Sequence, residues 1–353
     1  MYDIVIVGAG PAGANLGRLI GDKYKVLLLD KRDLANENPQ NFTSKCCGGL
    51  LAPDAQKMIA QLGLGIPKDI LVDPQLFAVR TIDLTNNLER LYQRFYYNMD
   101  REKFDHWLVS LLPAGVDKKF NSLFKNYVKI SGGYEVRYVH KGEEKSVKTK
   151  VIVGADGALS RLRKSIGKGI DSPEEYISIQ QWFKSPGDLS YFTAIFDEEI
   201  SDFYAWIIPK DDNLILGAAL RPRASTREKY ERLKIRLQDY GFNFGRQLKT
   251  EGAFIYRPRE VSQLYVGRDG IALVGEAAGA ISPSSAEGIS YALKSSLYLA
   301  QSLEDGLDGF LDRYKQKVKE IKLNLLLKNL KSPAMYNPFL RKLAMQSGLQ
   351  SIK

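Results

Sequence analysis

The chain opens on Tyr2-Asp3-Ile4-Val5-Ile6-Val7, a short apolar and β-branched run of the kind a buried parallel strand shows. It passes directly into Gly8-Ala9-Gly10-Pro11-Ala12-Gly13 and a helical stretch to about Gly21. A second apolar run, Val26 to Leu29, ends at Asp30. Phe104, Trp107, Leu108 and Leu111 recur at i, i+3, i+4 and i+7, which predicts a helix with Arg101 near its start. Tyr127 to His140 alternates about Gly132-Gly133, a hairpin signal. Val151–Val153 and Ile271–Val274 are two more buried-strand runs, entering the turns Gly154-Ala155-Asp156-Gly157 and Gly275-Glu276-Ala277-Ala278-Gly279. Residues 176–183, 191–196, 203–208 and 213–219 predict strands of a mostly antiparallel sheet rich in aromatics, among them Trp182, Phe192, Phe196, Tyr204 and Trp206.

This order predicts an α/β fold in which a discontinuous, Rossmann-like dinucleotide domain (1–75, 98–168 and 262–300) is interrupted by an antiparallel-sheet lobe (76–97 and 169–261). The remainder, 301–353, reads as a basic helical tail. In it Val318, Ile321 and Leu325 share a face, Leu326, Leu327 and Leu330 widen that stripe, and Pro333 and Pro338 interrupt it before a second basic segment at Arg341.

Composition narrows the classes. With 353 residues, 44% hydrophobic and 26% charged, the chain is an ordinary globular protein. No apolar run suits a bilayer span and no signal peptide precedes the first strand, so a cytoplasmic protein is expected. Cys46 and Cys47 are adjacent, which suits neither a long-range disulfide nor a structural zinc site, and no metal is implied. The net charge is +10, of which the segment from Gly306 onward carries +7, ten Lys and Arg against three Asp and Glu. Three readings stay open for that segment: a solvated helix packed across the molecule, a basic amphipathic surface on anionic lipid headgroups, or a docking site for an acidic electron-transfer protein. Nucleic acid is not expected, because no recognition motif accompanies the charge.

The first motif carries specific chemistry. Gly8 permits a tight turn, Gly10 lets backbone approach a pyrophosphate, and Gly13 lets helix and strand pack closely. The helix start offers unsatisfied N–H groups to phosphate, and Asp30, 22 residues after Gly8, can accept from ribose hydroxyls. These residues predict a dinucleotide without choosing between FAD and NAD.

Four segments together choose. The G-x-G-x-x-G loop, Arg101-x-x-Phe104-Asp105, Gly154-Ala155-Asp156-Gly157-x-x-Ser160 and Gly275-Glu276-Ala277-Ala278-Gly279…Pro283…Gly288 resemble the FAD-dependent family built like aromatic hydroxylases and geranylgeranyl reductases. The resemblance implies the glutathione-reductase or aromatic-hydroxylase type of FAD domain. In it Ala12 and Gly13 would face the pyrophosphate, Asp30 and Lys31 the adenosine side, and Arg101 the phosphate–ribityl region. Asp156 would brace the cofactor loop, Leu123 would also contact the cofactor, and Gly275, Glu276, Gly288 and Ile289 would hold the ribityl chain and the pyrimidine end. Glu276 stands where that family has Asp. Cys47-Gly48-Gly49 resembles the C-G-G motif that the reductases place beside the isoalloxazine. Tyr204-x-Trp206-x-x-Pro209-Lys210 resembles their Y-x-W-x-F-P-K motif, with Ile208 at the usual Phe. The overall pattern is most similar to the bacterial CbrA-type branch.

The resemblance implies hydride delivery from the reduced flavin N5 to a carbon–carbon double bond of a prenyl lipid, with Cys47, Tyr204 and Trp206 at the reaction and the Cys47 thiol as a proton donor or pocket wall. The reductant stays open between NADPH and a ferredoxin or flavodoxin. Two rivals remain. A flavin monooxygenase or halogenase is one, since 204–209 also resembles W-x-W-x-I-P; a non-catalytic, flavin-bound membrane adaptor is the other.

Overall fold

The computed structural model of the chain describes residues 1–35, 45–166, 169–185, 187 and 189–352. The domain boundary placed at 168 and the terminal Lys353 lie outside the described residues. β1 (Tyr2–Val7) is buried from Ile4 onward, as its aliphatic run requires. α1 (Pro11–Ile20) begins with Pro11, whose ring presets a helical φ where no N–H partner is needed. β2 (Val26–Leu29) returns parallel to β1, completing a βαβ unit.

The chain then leaves through β3 (Leu50–Leu51), α2 (Pro53–Gln61), β4 (Leu76–Asp83) and β5 (Leu88–Asn98). It comes back in α3 (Arg101–Ser110), β6 (Asp117–Lys119), β7 (Ser122–Ile130), β8 (Gly133–His140), β9 (Glu143–Gly154) and α4 (Arg161–Ile166). A second excursion comprises β10 (Glu174–Lys184), β11 (Phe192–Phe196), β12 (Ala205–Lys210), β13 (Asn213–Leu220), α5 (Thr226–Asp239) and β14 (Gln247–Arg257). β15 (Gly267–Arg268), β16 (Ile271–Leu273), α6 (Ile289–Ser302), α7 (Phe310–Lys317), α8 (Lys319–Tyr336) and α9 (Pro338–Gln346) complete it. Neither α5 nor β14 was evident from the apolar pattern, because α5 is charged on more than half its length and β14 opens on the largely polar run Gln247–Glu251.

Among the described residues the strands form two sheets. The first runs β15-β16-β9-β1-β2-β6, with the hairpin β7–β8 joined through β9. The end of β9 pairs parallel with β1, Val151 opposite Ile4 and Gly154 opposite Val7, so the turns after both strands emerge at one sheet edge. The second sheet runs β14-β10-β13-β12-β11-β4-β5-β3 and is antiparallel except at β11–β4. Period-two alternation splits its residues. Ala205 and Ile207 pack with Tyr230, Leu233 and Leu237 of α5, while Trp206 and Ile208 pack with Phe192, Phe196 and Tyr204 on the opposite face.

The C-terminal helices correct the sequence reading in two ways. α8 runs through Pro333 without ending, and Pro338 opens α9 instead of breaking a helix. Leu326, Leu327 and Leu330 do not widen the stripe of Ile321 and Leu325; those two are buried, and the other three are exposed on the far side. Phe310, Tyr314 and Val318 enter the core of the first sheet, where the Tyr314 hydroxyl donates to the Leu273 carbonyl at 3.0 Å. α9 is held against the second sheet by Arg341, whose Nε and Nη2 donate to the Asp83 carboxylate at 2.6 and 3.0 Å with both side chains buried. The tail is thus built into both parts of the molecule.

Removing one partner of such a pair strands the other charge in a dry site. Arg341→Met is expected to lower unfolding free energy by about 3–5 kcal/mol, measured by urea denaturation. The same experiment on the exposed Lys184–Asp212 pair should show little change.

Candidate functional site

The edge where β1, β9 and β16 end faces the aromatic side of the second sheet across a cavity of about 1360 Å3. Its walls explain why the glycines stand where they do. Gly8 has φ +105°, a conformation costly for any side chain, and closes the turn after β1. A Cβ on Gly10 would meet no protein atom within 4 Å and would stand in open space beside the cavity it lines. Gly10 precedes α1, and no side chain caps that helix, so its first amides are left for a ligand. Gly13 does not reach the cavity. A Cβ there would lie 1.8 Å from the Gly8 carbonyl oxygen, so Gly13 serves the close approach of α1 to the strand turn. Gly275 also stays behind the wall, against Ala12, with its N–H donating to Ser295 Oγ at 2.8 Å. The other sequence-derived positions, Gly8, Gly10, Ala12, Asp30, Lys31, Cys47, Gly48, Gly49, Arg101, Leu123, Asp156, Tyr204, Trp206, Glu276, Gly288 and Ile289, all line this one cavity.

A chain of alternating charges crosses its floor. The Asp30 carboxylate accepts from the Ala9 N–H at 2.7 Å, closing the glycine loop, and from Arg32 Nε at 3.2 Å. Arg32 Nη1 donates to Asp105 at 2.7 Å, and Asp105 in turn accepts from Arg101 Nε at 2.8 Å. Arg101 Nη1 then reaches Cys47 Sγ at 3.4 Å. Burial alone would raise the Asp105 carboxyl, but Arg101, Arg32 and Lys45 outweigh it and bring it down to about 2. Cys47 follows the same logic. Burial raises its thiol, while Arg101, the Gly49 N–H at 3.5 Å and Lys45 overcome that and lower it below the ordinary cysteine value. For its neighbour burial wins: it outweighs the Ser178 hydrogen bond and the Lys249 charge and pushes the Cys46 thiol up to about 12. The two adjacent cysteines therefore differ in acidity, Cys47 ionising more readily than an ordinary thiol and Cys46 less readily.

Lys210 holds this loop from behind. It ends β12, is buried, and its Nζ donates to the Gly49 and Met99 carbonyls at 3.0 and 2.8 Å. Desolvation lowers its amine to about 7, only partly opposed by Cys47 and Asp100. Gly49 has φ +61°, and a Cβ there would strike the Met99 carbonyl oxygen at 2.3 Å, so the loop tolerates only glycine.

The remaining walls are carboxylates and rings. Asp156 caps α4, accepting from Ser160 Oγ at 2.5 Å and the Arg161 N–H at 2.8 Å. Glu276 accepts from the Tyr256 N–H at 2.9 Å, and Glu287 from Ser290 N–H and Oγ at 2.7 and 2.5 Å. Burial lifts both glutamates above the usual carboxylate range. The Tyr204 hydroxyl donates to the Ser285 carbonyl at 2.7 Å, which brings the 281–289 turn against the second sheet. Trp206 lies 5.3 Å from Tyr204, ring centre to ring centre, and flat over Gly217, where any Cβ would meet the indole at 2.2 Å. Its buried indole N–H has no partner among the described residues.

Arg32, Lys45, Lys210 and Glu287 were not singled out from sequence. Arg32 sits in the run Asp30-Lys31-Arg32-Asp33, which reads as a solvated turn, and Lys210 precedes Asp211-Asp212, which reads as a strand end at the surface. The one available signal was the Pro209-Lys210 pair of the quoted motif. Among the described residues no cluster of His, Cys, Asp or Glu could hold a metal ion, and no helix is long and apolar enough to cross a membrane. The bare loop at Gly10, the uncapped start of α1 and the cations Arg32, Lys45 and Arg101 along one long cavity fit a dinucleotide with its pyrophosphate at α1.

Two outcomes follow from these charges. In Arg101→Gln the Cys47 thiol loses its cation, so thiolate absorbance near 240 nm, present below the ordinary cysteine range of about 8.5 in the unmodified protein, should move up in pH. For Lys210 the folded amine is lowered to about 7, so between there and its ordinary 10.5 the unfolded chain binds a proton that the folded chain does not. Stability should therefore rise with pH across that window, and urea midpoints of Lys210→Met should lose that part of the rise.

Comparison with known proteins agrees with this geometry. Residues 131–326 match the FAD binding domain family. Protein CbrA of Escherichia coli O6:H1 is 37% identical over 351 residues, covering 99% of this chain and 94% of the relative. A geranylgeranyl bacteriochlorophyll reductase-like protein from Thermoplasma acidophilum superposes with a TM-score of 0.80 at 19% identity, covering 97% of this chain and 90% of that one. A probable FAD-dependent monooxygenase from Pseudomonas aeruginosa does so at 0.69 and 17%, covering 98% of each. The likenesses to solved structures speak for the fold, and the sequence match for descent: the chain belongs to the FAD binding domain family as a homologue of the CbrA proteins, and its cofactor is FAD.

Proposed function

We propose that this flavoprotein reduces carbon–carbon double bonds of an apolar, prenyl-type substrate. The observation that carries the reading is the cavity itself. Beyond the glycine loop, where FAD would lie, it continues along Tyr96, Phe192, Phe196, Tyr204, Trp206 and Met345. That second arm offers aromatic and aliphatic surface suited to a long hydrocarbon. FAD bound along Gly8–Ala12 and reaching Cys47–Gly49 would supply, once reduced, the hydride.

The chain's own residues would then do three things. Tyr204 and Trp206 present π faces to the substrate arm, which favours positive charge as an alkene is protonated. With its thiol lowered by Arg101, Cys47 gives up its proton more readily than an ordinary cysteine, which keeps it a candidate donor or pocket wall beside the flavin. Glu287 suits the proton: burial holds its carboxyl above the usual range, and it lines the cavity two residues beyond the Ser285 carbonyl that receives Tyr204. The balance is one hydride and one proton added across one double bond.

The oxygen-using alternative has its own support, the fold shared with a probable FAD-dependent monooxygenase and the Tyr204-to-Pro209 pattern. Mass spectrometry of a prenyl lipid pool incubated with the chemically reduced holoprotein separates the two. The reductase reading expects products heavier by pairs of hydrogens without oxygen; products gaining oxygen or halogen only in air would replace it. In the reductase reading Glu287→Gln should lower turnover by about 10²–10⁴-fold while flavin content, read at 450 nm, stays unchanged.

A further inference from the structure

A helix packed on a globular core buries one face and wets the other. α8 and α9 do not follow that rule. At 3.6 residues per turn, Ile321, Leu325 and Ser332 point inward from α8, and Leu323, Leu326, Leu327 and Leu330 fall roughly opposite, on the outside. In α9 Arg341 and Met345 face in, and Phe339, Leu340 and Leu343 face out. The outward residues are large and open: Leu330 is 69% exposed, Phe339 66% and Leu343 50%. Two adjoining helices thus carry an apolar face that none of the described residues covers, well beyond the scattered exposed leucines of an ordinary surface.

The charges around that face indicate its occupant. Between Lys319 and Gln346 there are six Lys and Arg and one acid, Glu320, which is tied to Lys294 and Tyr298. Arg341 is spent on Asp83 and Lys328 pairs with Asp54, leaving Lys319, Lys322, Lys331 and Lys342 beside the apolar residues. A second copy of the chain would bring like charges together. An acidic protein would match the lysines and leave seven large apolar side chains to cover. An anionic bilayer satisfies both, taking the apolar side chains below the headgroups while the lysines reach up to phosphate.

We propose that the outward faces of α8 and α9 dock this protein on an anionic lipid surface. The position matters for the site: Ala334, Met335 and Ala344 line the cavity and are themselves exposed, so an edge of the cavity lies at this surface. A lipid substrate enters there from the bilayer, a consequence that rests on the prenyl-reductase reading, whereas the docking does not.

Deleting the tail is no test, because Phe310, Tyr314 and Val318 belong to the core. The test uses full-length holoprotein and the variant Leu326→Ser/Leu330→Ser/Phe339→Ser, none of which lines the cavity. Both are co-sedimented with vesicles of phosphatidylcholine alone or mixed with phosphatidylglycerol. The holoprotein should sediment with the mixed vesicles and less in high salt, and the variant should lose binding by about tenfold or more while keeping its flavin absorbance. Holoprotein left in the supernatant, or a variant that sediments equally, overturns the proposal. So does light scattering that finds an oligomer dissolved by the same substitutions, which would give the face to a second copy. Turnover on detergent-dispersed substrate is read in parallel: its absence would count against the reductase and leave the docking standing.

Discussion

The site depends on a line of alternating charges, Asp30–Arg32–Asp105–Arg101, that is largely buried and ends on the Cys47 thiol. The buried Asp30, Asp105 and Arg101 are tolerable there because their neighbours carry the opposite sign, and loss of one leaves the next unpaired. The line begins at the loop after β1, where Asp30 takes the Ala9 N–H, and ends at the Cys47–Gly49 loop. The same contacts that fix the dinucleotide loop therefore set the ionisation of the thiol at the other side of the cavity. Lys210 completes the arrangement by holding Gly49 from behind.

The second sheet is made to accept this. Its alternation sends Ala205 and Ile207 towards α5 and Trp206 and Ile208 towards the cavity, so one strand supplies both a core and a cavity wall. The C-terminal helices brace that wall. Arg257 lies between the rings of Phe203 and Tyr336, 4.1 Å from each, and the Tyr336 hydroxyl donates to the Ser284 carbonyl at 2.6 Å. α8 and α9 thereby join the second sheet to the 281–289 turn and carry Met335 and Met345 to the cavity.

Much of this was legible in the chain because the physics is local. A strand, a glycine turn and a helix lie within twenty residues, and the hairpin about Gly132-Gly133 is set by its own turn. Tyr204 and Trp206, two apart, had to share a face. What was not legible depends on partners far away in sequence. Arg32 and Asp105 are 73 residues apart, and nothing in Asp30-Lys31-Arg32-Asp33 says that its arginine turns inward. Lys210 looks like a surface residue until Gly49, 161 residues earlier, is placed against it. The leucines of α8 misled for a related reason. Apolar positions on both sides of a helix read as one broad stripe unless it is known which side the core occupies.

The account's central claim is that this cavity passes reducing equivalents from FAD to an alkene without oxygen. Stopped-flow absorbance at 450 nm tests it directly, with reduced holoprotein mixed anaerobically against a prenyl lipid. The account predicts that oxidised-flavin absorbance returns with the lipid present and stays absent without it. Absorbance that returns only when oxygen is admitted, at a rate the lipid accelerates, would contradict it and make the protein a monooxygenase.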